Sequence, residues 1–128
     1  MTPDLQLLAW SVALTLAQLV VAVLGARTQA PLAVLAGNRD DMPPLIGWPD
    51  RAQRAHRNML ESLLLFAIVV LVAQAAGRAD ATTALGAHLF FWGRVAYAIV
   101  YVAGVPWLRT LLWSVSIAGI VVIFARLL

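Results

Sequence analysis

The chain has 128 residues, of which 62% are hydrophobic and only 12% charged, with a formal net charge of +3 and a mean hydropathy of +0.88. A soluble domain is about 45–50% apolar and ~25% charged, and even ~150 residues leave about 30% of the unfolded surface facing solvent. A soluble monomer and a multi-domain protein are therefore excluded. The absence of Cys removes a disulfide scaffold, and nucleic-acid binding is excluded because the few charges are scattered through hydrophobic sequence. The bilayer is the remaining solvent.

A membrane helix needs ~20 mostly apolar residues. Residues 5–26 supply the first, without a charge. They lack the basic n-region and small-residue cleavage site of a signal peptide. Residues 27–49 are rich in Gly, Asn, Asp and Pro and predict a loop. Asp50, after Pro49, predicts the N-cap of a second helix over 51–76. Its first half carries Arg51, Arg54, His56, Arg57, Asn58 and Glu61, and its second half is apolar. Residues 77–80 predict a turn. A third span over 82–103 has Arg94 near its middle. Gly104, Val105 and Pro106 predict a tight turn before a fourth span over 107–125. One long and two short connections predict a single-domain, all-α, integral membrane four-helix bundle. Trp10, Trp48 and Trp107 suit the interfaces, whereas Trp92 and Trp113 are expected to be packing residues.

Orientation follows from the basic residues, all of which are Arg. Arg27, Arg39, Arg51, Arg54, Arg57 and Arg109 fall at one end of the bundle, and Arg78 and Arg126 at the other. Basic loops stay cytoplasmic. The first loop and the Gly104–Pro106 turn are expected in the cytoplasm, with both termini outside and the inner membrane of a bacterium as the location.

Arg54, Arg57, Asn58 and Glu61 fall at i, i+3, i+4 and i+7, on one helical face. Arg94, Tyr97 and Tyr101 fall at i, i+3 and i+7 on the third helix. An intramembrane charge costs ~2.5–3.5 kcal/mol on insertion scales, so both stripes must face protein or a wet cavity. Arg94 needs an anionic partner, and Glu61 is the one Glu in the chain, which favours an Arg94–Glu61 pair. The stripe could be a buried ion-pair network that fixes helix register. Against that, Arg54, Arg57, Arg94 and Arg109 outnumber their opposing carboxylate, and an excess of cations at low dielectric calls for an anionic ligand. A lipid headgroup or a small dicarboxylate would serve. His56 and His88 lack partner ligands at metal-binding spacing.

The run Arg54-Ala55-His56-Arg57-Asn58-Met59-Leu60-Glu61 resembles the second-helix signature of the MAPEG family, membrane-associated proteins in eicosanoid and glutathione metabolism, in a bacterial-type form. Gly93-Arg94-Val95-Ala96-Tyr97 with Tyr101 is similar to its third-helix signature, and Arg109-Thr110 to the pair that opens its fourth helix. The resemblance implies a homotrimer with glutathione as cosubstrate at the subunit interfaces. It implies Arg54, Arg57, Asn58, Glu61, Arg94, Tyr97, Tyr101 and Arg27 as its ligands. Tyr97 stands where the prostaglandin E synthase-like branch has His, which argues against prostaglandin isomerase activity. A thiol deprotonates more readily beside Arg, and the thiolate is the nucleophile. Arg109, helped by Thr110, is the expected thiol-activating group. The implied function is a glutathione-dependent transferase or peroxidase acting on a lipophilic electrophile from the surrounding lipid. The alternative is a non-catalytic protein that binds lipid or glutathione and acts through partners. A transporter would need a polar path through both leaflets, which the apolar far halves of the spans do not offer.

Overall fold

The computed structural model describes all residues, Met1–Leu128. Four helices are long and apolar enough to cross a membrane: α1 (Pro3–Arg27), α3 (Trp48–Ala75), α4 (Ala81–Ala103) and α5 (Pro106–Leu127). There is no strand. The connection between α1 and α3 is not wholly irregular, because it contains a short helix, α2 (Leu32–Ala36). Its Leu35 is buried against Ala26 and Ala30, which fastens the segment to the end of α1.

Local chemistry sets the ends. The Thr2 side chain accepts a hydrogen bond from the Leu5 amide at 3.3 Å, with Pro3 in the first turn of α1. At α4, Asp80 accepts from the Thr82 and Thr83 amides, while Thr83 Oγ1 accepts from the Asp80 amide at 2.8 Å, a complete capping box. The Thr83 amide, followed by the Arg126 guanidinium, holds the Asp80 carboxyl below the usual carboxylate range. Gly104 ends α4 at φ +86°, a left-handed conformation that favours Gly. The expected cap of α3 is corrected: the helix begins at Trp48 with Gly47 as its N-cap at φ +71°. Asp50 is inside the first turn and pairs with Arg54 at 3.0 Å. Pro49, which sequence reading assigned to the loop, is compatible with a helix start because the first amides need no intrahelical partner.

The helices are antiparallel neighbours. Thr2 Oγ1 donates to Gln74 Oε1 at 3.1 Å, and Arg126 Nε donates to Asp80 at 3.0 Å. Both termini thus sit at the end that carries the α3–α4 turn. At the other end, Arg51 Nε donates to the Val102 carbonyl at 3.0 Å. Helices α3 and α4 form the middle of the bundle. Helix α1 packs on both from one flank and α5 on both from the other, and α1 does not touch α5. The core joins Met59, Phe66 and Val70 of α3 to Ala87 and Phe90 of α4 and Ile120 and Ile123 of α5. Phe66 and Phe90 stack with centroids 4.0 Å apart.

Helices α4 and α5 approach closely through Gly86 and Gly119. A Cβ on Gly86 would lie 2.6 Å from the Gly119 carbonyl oxygen and 2.8 Å from Ile123 Cγ1. In lipid such small-residue contacts drive helix association by close packing. Gly86→Ala is expected to cost ~1–3 kcal/mol through overpacking, read as a lower thermal midpoint in detergent by near-ultraviolet circular dichroism.

Four polar residues of α1 lie on its buried side: Asp4, Ser11, Thr15 and Gln18. Ser11 donates to the Leu7 carbonyl at 2.7 Å and Thr15 to the Ser11 carbonyl at 2.8 Å. This i−4 bonding lets hydroxyls enter an apolar span without a partner on another helix.

Candidate functional site

Three helices build one polar cleft on the α5 flank. Asn58 comes from α3, Tyr97 and Tyr101 from α4, and Arg109, Thr110 and Trp113 from α5. Together they line a cavity of about 250 Å³. The α5 contribution reaches the cleft because Gly104 and Val105 reverse the chain and Pro106 starts the next helix at once. Arg109 then lies one turn into α5, beside the last turn of α4.

Arg94 does not line the cavity itself but touches two residues that do, Asn58 and Tyr97, and is 1% exposed. Its Nη2 donates to Asn58 Oδ1 at 2.8 Å, and its guanidinium lies over the Tyr97 ring, 4.1 Å from the centroid. Nε and Nη1 are buried with no hydrogen-bond partner. The Arg94–Glu61 pair expected by elimination is therefore corrected. Glu61 is exposed and forms no ion pair. Asn58, one turn earlier on the same stripe, takes the contact as a neutral amide. Counting charges could not find it, because an amide oxygen accepts from a guanidinium without carrying charge.

Tyr101 organises the mouth. Arg109 lies over its ring at 4.6 Å and Arg54 at 5.6 Å. Tyr97 and Tyr101 pack edge to face at 5.4 Å, and Ala55 of α3 packs against both. Arg54 is already met by Asp50, so it counts less toward the cationic excess than the sequence suggested. Arg57, Arg94 and Arg109 have no carboxylate partner within the protomer. Thr110 donates its hydroxyl to the Pro106 carbonyl at 3.3 Å, which leaves its oxygen free to accept.

Arg57 and Glu61 share the stripe on α3 but are exposed on its outer side. Glu61 is roughly 21 Å from the C-terminal end of α3 at 1.5 Å per residue, within a ~30 Å hydrocarbon layer. Bare charges there are costly, so this face needs a cover. Arg27 is not brought to the cleft. It donates to the Ala30 carbonyl at 3.4 Å and lines a separate cavity of about 540 Å³ between α1, α2 and α3, with Arg39, Gln53 and His56. Trp113, expected as packing, is instead a wall of the cleft and 41% exposed. Its spacing of i+4 from Arg109 was the available signal.

The cleft can hold an anion. It offers the Arg109 guanidinium, two phenol groups, an amide and a hydroxyl. The sequence profile of the MAPEG family matches residues 7–128 of the chain. Comparison with curated proteins and with solved structures gives no match.

Proposed function

The chain belongs to the MAPEG family, and from that premise we propose that it binds glutathione in the Arg94 cleft and transfers it to lipophilic electrophiles, or uses it to reduce them. The observation that carries the reading is the buried Arg94 guanidinium, which meets a neutral amide and the Tyr97 ring but no carboxylate, and keeps two nitrogens without a hydrogen-bond partner. A cation so placed is stabilised by an anion arriving from outside the protomer. Glutathione brings two carboxylates, an α-amine and a thiol. Arg94, Arg57 and Arg109 suit the carboxylates and the thiolate. Asn58, Tyr97, Tyr101 and Arg54 frame them, and Glu61 suits the amine.

The cleft of about 250 Å³ is smaller than the ~300–1,000 Å³ of ordinary ligand pockets. It is half a site. Exposed Arg57 and Glu61 on one flank of α3, and Arg27 with Gln53 and His56 on another, are the two edges a neighbouring copy would join. We read the assembly as a homotrimer with its sites at the subunit interfaces, embedded in the inner membrane with the first loop on the cytoplasmic side. Mass measurement in mild detergent should give three protomers. A stable monomer that binds glutathione as tightly as the intact assembly would remove the shared site.

The deciding experiment is a calorimetric titration of the purified protein with glutathione, followed by conjugation of an aryl halide. Arg57→Ala is expected to weaken binding by ~1.5–3 kcal/mol, the worth of a hydrogen bond to a charged group. Binding equal to the parent would assign the stripe to folding alone.

A further inference from the structure

The flank opposite the cleft carries a second, different groove. Helices α1 and α4 part toward the first-loop end, and the alanines of α3 form the floor. Leu14, Val21, Ala52, Ala98 and Ile99 are among its walls, and its volume is about 480 Å³. The lining holds no charge and one polar side chain, Gln18. That residue is 9% exposed, and its Oε1 is buried without a hydrogen-bond partner. The other buried polar side chains in the middle of α1, Ser11 and Thr15, are satisfied by their own backbone. The orphan atom of Gln18 is an acceptor, which no backbone carbonyl can satisfy, and an amide left unpaired in hydrocarbon costs more than one in water.

We propose that this groove binds an uncharged single-chain lipid through its hydroxyl, which donates to the Gln18 amide while the chain runs along the α1–α4 seam. Three observations select this occupant. Gln18 lies roughly 13 Å along α1 from Arg27, a depth at which an ionised headgroup is costly and a hydroxyl is not. The same faces of α1 and α4 continue into a second cavity of about 540 Å³ lined by Leu7, Trp10, Phe91 and Trp92. From Gln18 to Gln6 that track is roughly 18 Å long, enough for a long alkyl chain. The groove also faces away from the charged stripe of α3, so a neighbouring copy that covers Arg57 and Glu61 leaves it open to lipid. Ala55 and the two tyrosine rings separate it from the Arg94 cleft, so the lipid is a resident ligand and not the group that meets the thiol.

The test uses the intact protein in lipid nanodiscs and a diazirine-tagged hexadecanol as photolabel, displaced by hexadecanol or by its methyl ether, which keeps the shape and loses the donor. Label is expected on peptides that contain Val21 and Ile99, and hexadecanol should displace it three- to tenfold better than the ether, the worth of one hydrogen bond. Gln18→Leu should make the two competitors equal. Ala98→Phe, which fills the groove without touching Gln18, should remove the label from both peptides, and it decides the matter if Gln18→Leu does not fold. Equal displacement in the parent, or label spread evenly over all lipid-facing helices, overturns the proposal. So does a disulfide between copies through Ile99→Cys, since a second protomer would then fill the groove. Glutathione titration of the same variants should match the parent, which keeps this site distinct from the proposed catalytic one.

Discussion

Arg94→Met is expected to weaken glutathione binding by about 30- to 150-fold while leaving the unliganded protein folded. The two outcomes diverge because the guanidinium is buried yet poorly paired. It is 1% exposed, keeps one hydrogen bond to Asn58, and has two nitrogens without a partner. Taking a charge out of water costs several kcal/mol, and replacing a buried charge by an apolar side chain of similar volume is often neutral or stabilising. The aromatic face of Tyr97 at 4.1 Å returns ~1–2 kcal/mol of cation–π attraction, too little to offset burial alone. The side chain is thus a cost to the empty protein, and a bound anion recovers it. Loss of the charged contact should weaken binding by ~2–3 kcal/mol, about 30- to 150-fold. The thermal midpoint without ligand should stay level or rise, and the stabilisation that added glutathione gives the parent should shrink. A midpoint that falls sharply, with binding retained, would make Arg94 a structural residue and move the anion site elsewhere.

The same residue shows how far a sequence can be read. The four apolar helices were legible because the solvent imposes them: hydrocarbon tolerates no unpaired backbone, so length and apolarity suffice. The stripes were legible because 3.6-residue spacing fixes which side chains share a face: Asn58, Tyr97, Tyr101, Arg109 and Thr110 line one cleft, and Arg94 is bonded to Asn58 behind it. What spacing cannot give is the rotation of a face relative to its neighbour. Glu61 was assigned to Arg94 by elimination, but the helix turns it outward and presents Asn58. Arg27 ends its helix at the right depth, yet on the wrong flank of α3 for the same protomer's cleft. Gln18 gives no signal in an otherwise apolar span, because a single amide alters hydropathy little. Its meaning lies in having no partner, which only the packing reveals. Trp113 shared a face with Arg109, but an aromatic in a span reads as packing until a polar neighbour is seen beside it.

Arg109→Ala is expected to lower conjugation turnover by about 10- to 100-fold, some 1.4–2.7 kcal/mol of barrier, with a smaller change in glutathione affinity. Position is the reason. Arg109 lies at the mouth of the cleft, over the Tyr101 ring at 4.6 Å, with no carboxylate to neutralise it. Arg94 and Arg57 lie deeper along the stripes and suit the carboxylates. Arg109 cannot act as a general base, since the guanidinium stays protonated at any working pH. Its charge can lower the thiol's pKa and stabilise the negative charge that develops on the electrophile. The Thr110 hydroxyl proton is engaged with the Pro106 carbonyl at 3.3 Å, so Thr110 would have to turn before donating to sulfur. Thr110→Val should therefore lower turnover much less than Arg109→Ala. The thiolate of bound glutathione, followed by its ultraviolet absorbance, should appear at higher pH in Arg109→Ala than in the parent. The sign is fixed by chemistry, because removing a nearby cation destabilises the anionic form and raises the pKa. A thiolate titration unchanged in Arg109→Ala, with turnover lost, would leave Arg109 to the electrophile's charge and shift thiol activation to Tyr101 or Arg94. An unchanged turnover would return Arg109 to the role of an interfacial cation stacked on Tyr101.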